Sequence, residues 1–390
     1  MRNPLSNKIT QVQPSGIRKF FDVANEMEDV ISLGVGEPDF DTPWRIREEG
    51  IFSLERGRTF YTSNAGLLEL RKEICKYLHR KIHVSYNPVK ETMVTGGGSE
   101  AIDVALRCML GPGDEVLIPQ PSYVSYLPCT LMADGVPVIA ELKSENEFKL
   151  TVADLEPLVT EHTKILIMPF PNNPTGSIMT KEDLEPIAKF VEEHDLYVIS
   201  DEIYSELTYQ SEHVSIASFP GMRERTIVIN GFSKGFAMTG WRLGYCCGPE
   251  LIMKQMIKLH QFAIMCAPTN SQYAAVEGLR HCEDEVEEMR KAYNQRRHFL
   301  MHEFRRIGLE CFEPFGAFYV FPSIKQFGMT SDEFATRLLY EEKVAVVPGT
   351  AFGECGEGFL RISYAYSMED LKKALERVER FINRIKEEQV

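Results

Sequence analysis

Through the middle of the chain, short apolar blocks recur between stretches of mixed polarity. Five of them, Glu115–Ile118, Val136–Ala140, Lys164–Met168, Leu196–Ser200 and Thr226–Asn230, are rich in Val, Ile and Leu and carry no charge at their centres. Blocks this short and this apolar predict buried strands. Pro137 weakens the second, because proline cannot donate a ladder hydrogen bond. Between the blocks the period changes. Lys181–His194 sets apolar residues at helical spacing, and Ala101–Met109 does the same after a glycine-rich turn. Strands alternating with helices predict βαβ crossovers and a mostly parallel sheet. From about residue 285 a long charged helix replaces this rhythm, followed by short strands around Gly316–Phe321 and Phe359–Ser363. The run from Met368 to Val390 places Leu371, Ala374, Leu375, Val378 and Phe381 on one face of an amphipathic helix. The expected fold class is α/β: a large domain over 46–284 with a mostly parallel sheet flanked by helices, and a smaller α+β domain over 285–390 joined by the segment 1–45. No internal repeat, low-complexity tract or flexible linker interrupts it.

Composition narrows the functional classes. The chain has 390 residues, of which 44% are hydrophobic, and no apolar run approaches the roughly 20 residues needed to span a bilayer. Met1–Ser6 lacks the apolar core of a signal peptide, so a cytoplasmic protein is expected. A net charge of -14 argues against nucleic acid as a partner and makes any anion pocket a local feature. The nine cysteines form no Cys-x-x-Cys pair and are expected to be reduced; Cys246 and Cys247, being adjacent, should face opposite sides of a strand. His298 and His302 stand at a metal-binding spacing, but Arg296, Arg297 and Arg305 surround them. That run reads as a solvated basic face, and no metal site is expected.

The candidate chemistry begins at Gly231–Gly244, where Lys234 follows Ser233 among small residues and Arg242 comes shortly after. A lysine able to form a Schiff base, an arginine able to hold a phosphate and glycines that allow close backbone approach are what pyridoxal phosphate (PLP) requires. Thr226–Asn230 would deliver Ser233 and Lys234 at a strand's C-terminal end, where open α/β sheets bind ligands. Thr95–Glu100 offers Gly97, Gly98 and Ser99 before a helix, whose free N–H groups and dipole suit a phosphate. Asp201 ends another strand, where a buried carboxylate needs a cationic partner such as a protonated pyridine nitrogen. Tyr204, three residues on and on the same side of a helical turn, and Asn173, in Pro171–Gly176, could each donate to the ring oxygen.

Together these segments resemble the class I and II aminotransferases of PLP fold type I, and the resemblance covers essentially the whole chain. The Gly231–Gly244 stretch is similar to their cofactor-attachment signature at every constrained position. The resemblance implies that Asn173 contacts the ring, that Tyr123, in Pro121–Tyr123, stacks on its face, and that Gly36, in Ser32–Pro43, lies near the substrate carboxylate. It further implies that Arg361 clamps the α-carboxylate and that Tyr61 reaches the cofactor phosphate of a neighbouring subunit, making a homodimer the functional unit. The expected activity is ping-pong transfer of an amino group from an L-amino acid to a 2-oxo acid, with PLP as cofactor and Lys234 as proton carrier.

Substrate choice is less determined. The best-known aspartate aminotransferases use a second arginine before a Ser-Asn-Pro-Pro segment, and Gln261–Ser271 holds none. Ser15–Phe20 and Ser233–Gly244 look more like the bacterial subgroup that includes aspartate, aromatic and N-acetyl-diaminopimelate aminotransferases. Two other readings share the fold. A cystathionine-type C-S β-lyase would use the same residues. A transcription regulator with an aminotransferase-like sensor domain would need a DNA-binding module, for which there is no room before Ser32 and no basic patch.

Overall fold

Seven strands form the central sheet of the computed structural model, which describes residues 2–14, 16 and 27–388. In chain order the strands are β1 (Ile31–Ser32), β2 (Thr92–Thr95), β3 (Glu115–Gln120), β4 (Val136–Glu141), β5 (Thr163–Met168), β6 (Tyr197–Asp201), β7 (Thr226–Gly231), β8 (Gly244–Cys247), β9 (Tyr319–Val320), β10 (Val344–Ala345), β11 (Val347–Pro348) and β12 (Leu360–Ser363). The central sheet runs β2-β8-β7-β6-β5-β3-β4. Only β8 is antiparallel to its neighbours, so the other six share one direction. This is the mostly parallel α/β sheet expected. Pro137 is tolerated because β4 is an edge strand, paired only with β3.

Alternation along each strand explains why the sheet is buried on both faces. Leu117, Leu166, Met168 and Val198 pack into one apolar cluster, while Val116, Ile118, Ile165, Ile167, Ile199, Ile227 and Ile229 pack into another on the opposite side. Cys246 and Cys247 divide in the same way, each buried in a different cluster, and all nine cysteines are free thiols. Helices cover the faces. Lys181–Glu193 begins with a capping box: Thr180 Oγ1 accepts from the Asp183 N–H at 3.3 Å while the Asp183 carboxylate accepts from the Thr180 N–H at 2.8 Å.

C-terminal to the sheet, the 25-residue helix Glu283–Ile307 leads into a three-stranded sheet ordered β11-β12-β9 and then into the helices Ser331–Glu342 and Met368–Glu388. β1 pairs in parallel with β10, Ile31 opposite Val344, which ties the N-terminal segment to these later elements. The Met368–Glu388 helix buries Leu371, Ala374, Leu375, Val378 and Phe381 as its spacing predicts. One apolar cluster runs without a break from Leu70 and Ile74 through Tyr245 and Tyr293 to Leu371 and Phe381.

Several expectations change. The strand expected around Gly316–Phe321 shrinks to Tyr319–Val320, because Gly316 bridges to Thr208 and Ala317 adopts φ 56°. Arg296 and Arg297 are not on a solvated face: Arg296 is bonded to Asp39 at 2.7 Å and Arg297 to Glu313 at 2.8 Å, and both are buried. Burial of guanidinium groups is sustained by such partners, which lie far away in sequence. His298 and His302 do lie exposed, and among the described residues no cluster of three or more His, Cys, Asp or Glu could hold a metal. No described helix is long and apolar enough to cross a membrane. The Ser15–Phe20 segment, Gly16 apart, and the last two residues of the Met368 to Val390 run lie outside the described residues.

Candidate active site

Because six strands point one way, the segments that follow β2, β3, β5, β6 and β7 emerge at the same edge of the sheet. The antiparallel β8 starts there too, so the residue just ahead of it joins them. A cavity of about 420 Å³ opens at this edge. Its walls include Gly98 and Ser99 after β2, Tyr123 and Tyr126 after β3, Asn173 after β5, Asp201 and Tyr204 at the end of β6, Ser233 and Lys234 after β7, and Arg242 ahead of β8. The N-terminal segment contributes Gly36 and Glu37, and the C-terminal sheet contributes Tyr319 and Arg361.

At the phosphate end, the helix Gly98–Met109 begins one turn earlier than its apolar pattern suggested, so Gly98 and Ser99 lie in its first turn. Gly97 takes φ +105°, and a Cβ there would come within 2.8 Å of Arg242 Nη2. Only glycine lets the guanidinium sit against this turn. Arg242 donates to the Thr239 carbonyl at 3.0 Å and to the Gly96 carbonyl at 3.4 Å, leaving its remaining N–H groups for an anion. Ser99 Oγ lies 3.1 Å from the Tyr123 hydroxyl.

Lys234 is half-buried and its Nζ donates to the Gly36 carbonyl at 2.6 Å. Burial first, then the nearby Arg361 and Arg242, push its pKa from 10.5 down to about 8, with Glu37 opposing. A neutral amine is thus within reach near neutral pH, the state that a nucleophile or base requires. An unfolded chain holds that proton up to 10.5 and the folded one only to about 8, so the cofactor-free protein gains stability as pH rises through this window. Denaturation of the cofactor-free wild type and of Lys234→Met should diverge there by on the order of 1–3 kcal/mol, solvent screening included. Parallel curves would remove Lys234 as the source.

Asp201 is buried at the end of β6. Its Oδ2 accepts from the Tyr126 hydroxyl at 2.7 Å and its Oδ1 from the Ile203 N–H at 3.2 Å. Desolvation raises its pKa, which is the mark of a carboxylate still short of a cation. Tyr204 sits on a turn and not on a helix, the chain from Ile203 to Glu206 being irregular, and its hydroxyl lies 2.9 Å from that of Tyr319. Asn173 Oδ1 accepts from Arg361 Nη1 at 2.9 Å, which leaves its amide N–H groups to donate. Arg361 also donates through Nη2 to the Gly34 carbonyl, while its buried Nε has no partner. Its guanidinium is held between the rings of Tyr319 and Phe352, at 4.6 and 4.8 Å from their centroids.

The set fits pyridoxal phosphate. A helix N-terminus and a guanidinium could receive the phosphate, a buried carboxylate lacks a cation among the described residues, and an amine stands on the wall of the same cavity. Two of the predicted residues do not line the cavity: Gly97, which packs behind it against Arg242, and Tyr61, which is 80% exposed. Tyr126 and Tyr319 were not anticipated. Tyr126 lies three residues after Tyr123 and Tyr319 lies within an apolar strand, so neither has a local signal beyond its type.

The sequence profile described as "Aminotransferase class I and II" matches residues 28–378. The chain belongs to the class I and II aminotransferases. This aminotransferase is 50% identical over 384 residues to the aspartate aminotransferase of Pyrococcus abyssi, covering 97% of the chain and 98% of the relative. It is 46% identical to aromatic-amino-acid aminotransferase 2 of Thermococcus litoralis, with the same coverage. Among solved structures, the aromatic aminotransferase of Pyrococcus horikoshii matches with a TM-score of 0.90 at 47% identity, covering 94% of the chain and 99% of that structure. The family is PLP-dependent, and the activity of this aminotransferase is transamination of amino acids.

Proposed function

We propose that the chain transfers an amino group from an L-amino acid to a 2-oxo acid in two half-reactions, with PLP anchored on Lys234. The observation that carries this reading is the convergence of Lys234, Asp201, Arg242 and Arg361 on one cavity. When bound, the cofactor would supply an electrophilic carbon and a cationic ring that accepts the electron pair left at the substrate α-carbon. The remaining work belongs to side chains. Gly97, Gly98, Ser99, Ser233 and Arg242 bind the phosphate, and Asp201 keeps the ring nitrogen protonated. Tyr204 and Asn173 donate toward the ring oxygen while Tyr123 stacks on the ring. Arg361 clamps the substrate α-carboxylate beside Gly36, and Lys234 Nζ would take the α-proton, hold it and deliver it to the cofactor's aldehyde carbon.

The working unit we propose is a cytoplasmic homodimer of subunits divided near residues 45 and 285, with Tyr61 serving the partner's phosphate. Trp44, Ile51, Leu54, Phe60, Tyr61 and Phe262 are all exposed; Thr269, whose helix packs on Trp44–Glu55, donates through Oγ1 to the Phe60 carbonyl at 2.7 Å, and Asn64 Nδ2 donates to the Met265 carbonyl at 2.9 Å just beyond Phe262. An apolar surface of this kind marks an interface. Sedimentation at the mass of one 44.5 kDa chain would remove this part of the reading.

The transfer itself is tested by adding single amino acids to PLP-loaded protein with no oxo acid present. Aspartate, glutamate, phenylalanine and tyrosine are the donors to try first. The expected result is one equivalent of the matching 2-oxo acid per site, with turnover resuming only when a second 2-oxo acid is supplied. Continuous release of pyruvate and ammonia from cystathionine or cysteine would make β-elimination the reaction instead.

A further inference from the structure

Tyr319 occupies a position that links three parts of the site. It lies in β9 opposite Ser363 of β12, and Arg361, two residues before Ser363, shares that face of the strand. Its ring face therefore meets the Arg361 guanidinium, 4.6 Å from the centroid. The other end of the same side chain reaches across the cavity. Its hydroxyl lies 2.9 Å from the Tyr204 hydroxyl and stands so close over Gly36 that no Cβ could be placed there without colliding with it. The Gly36 carbonyl is the acceptor for Lys234 Nζ. Tyr319 is 1% exposed and edge-packed on Tyr204, with ring centroids 5.9 Å apart.

Two hydroxyls that share one hydrogen bond cannot both donate to it. Burial raises the pKa of both phenols, so each keeps its proton. If Tyr204 turns its proton toward a group in the cavity, Tyr319 has to supply the proton between them. The aromatic ring has a separate task, because a guanidinium over a ring face gains attraction without losing its in-plane N–H donors to a carboxylate.

We propose that Tyr319 is a positioning residue with two separable tasks: its hydroxyl donates to Tyr204 and directs the Tyr204 proton at the cofactor, and its ring holds Arg361 in place for the substrate α-carboxylate. This rests on the PLP-dependent reading above and adds to it a residue that couples cofactor and substrate ends of the cavity. Removing the hydroxyl weakens Tyr204 as a donor to the negatively charged ring oxygen and so disfavours the deprotonated form of the bound cofactor.

The test compares Tyr319→Phe, Tyr319→Leu and Phe352→Leu in the PLP-loaded protein, reading the pH titration of the visible cofactor band alongside KM and kcat for the best amino donor. Tyr319→Phe should move the spectral midpoint upward by about half to one pH unit, the worth of one neutral hydrogen bond, and leave KM within about twofold. In a Tyr204→Phe background the same change should produce no further shift, which a general packing defect would not reproduce. Tyr319→Leu should add a rise in KM of about tenfold. Phe352→Leu, which removes the opposite ring from Arg361, should raise KM without moving the spectrum, and it carries the second task if Tyr319→Leu does not fold. An unshifted midpoint in Tyr319→Phe overturns the first task, and an unchanged KM in both leucine variants overturns the second. Wild-type protein that develops no visible band with PLP would instead overturn the reading on which the proposal rests.

Discussion

Lys234→Ala should lower the transamination kcat by at least about 10⁴-fold and abolish the visible absorption that PLP acquires on the wild-type protein. Two contributions vanish together. The amine that anchors the cofactor is lost, and so is the base that carries the α-proton, since Lys234 Nζ is the only ammonium at the cavity wall among the described residues. The fold should survive. The Lys234 side chain makes a single hydrogen bond, to the Gly36 carbonyl, and its burial disfavours its own charge, so removing the side chain relieves a desolvation cost as it removes that bond. Far-UV circular dichroism matching the wild type, with the band gone, is the expected pair of results. A yellow protein persisting after the substitution would place the anchor on another lysine.

Asp201→Asn should lower kcat by about 10²–10³-fold, the loss typical when one preorganised electrostatic group is removed from an active site. Asparagine preserves the shape, and its Oδ1 can still accept from the Ile203 N–H; the amide at the other position must instead donate to the Tyr126 hydroxyl, so the change removes the charge at the cost of reversing that one bond. Stability should move the other way or not at all. In the cofactor-free protein Asp201 is a buried carboxylate with no cation beside it, so neutralising it removes a desolvation cost. Single-turnover rates and thermal melting of the cofactor-free protein measure the two halves. A variant within tenfold of the wild-type rate would contradict the role given to Asp201, whatever its melting temperature.

Five of the six parallel strands were legible because each is apolar on both faces and bounded by polar turns, so their existence did not depend on distant partners. β2 escaped notice, and β8 showed only through the adjacent Cys246 and Cys247, for the opposite reason. Thr92–Thr95 and Gly244–Cys247 are only four residues long, and they are strands through their pairing with each other and, for β8, with β7. The site residues carried by short motifs, such as Asn173, Asp201, Lys234 and Arg242, line the cavity because each motif follows or precedes a strand at one sheet edge. Tyr126 and Tyr319 joined them through contacts across 75 and 115 residues of sequence, which no local pattern encodes. The run around Arg296 and Arg297 looked solvated for the same reason, its acidic partners Asp39 and Glu313 being supplied by the fold.

The unbroken apolar cluster that passes from Leu70 through Tyr293 to Phe381 has a thermodynamic consequence. The two architectural halves of the subunit should therefore unfold in a single transition, since neither can lose its share of that core without exposing the other's, and a single calorimetric peak is the expected result. Cutting the chain near residue 285 would leave each fragment with an uncovered half-core, prone to aggregate rather than to fold. Ligand captured at the sheet edge is linked to the whole of this unit. Saturation with cofactor should therefore raise the resistance of the distant Met368–Glu388 helix to heat as well as that of the strands that touch the ligand.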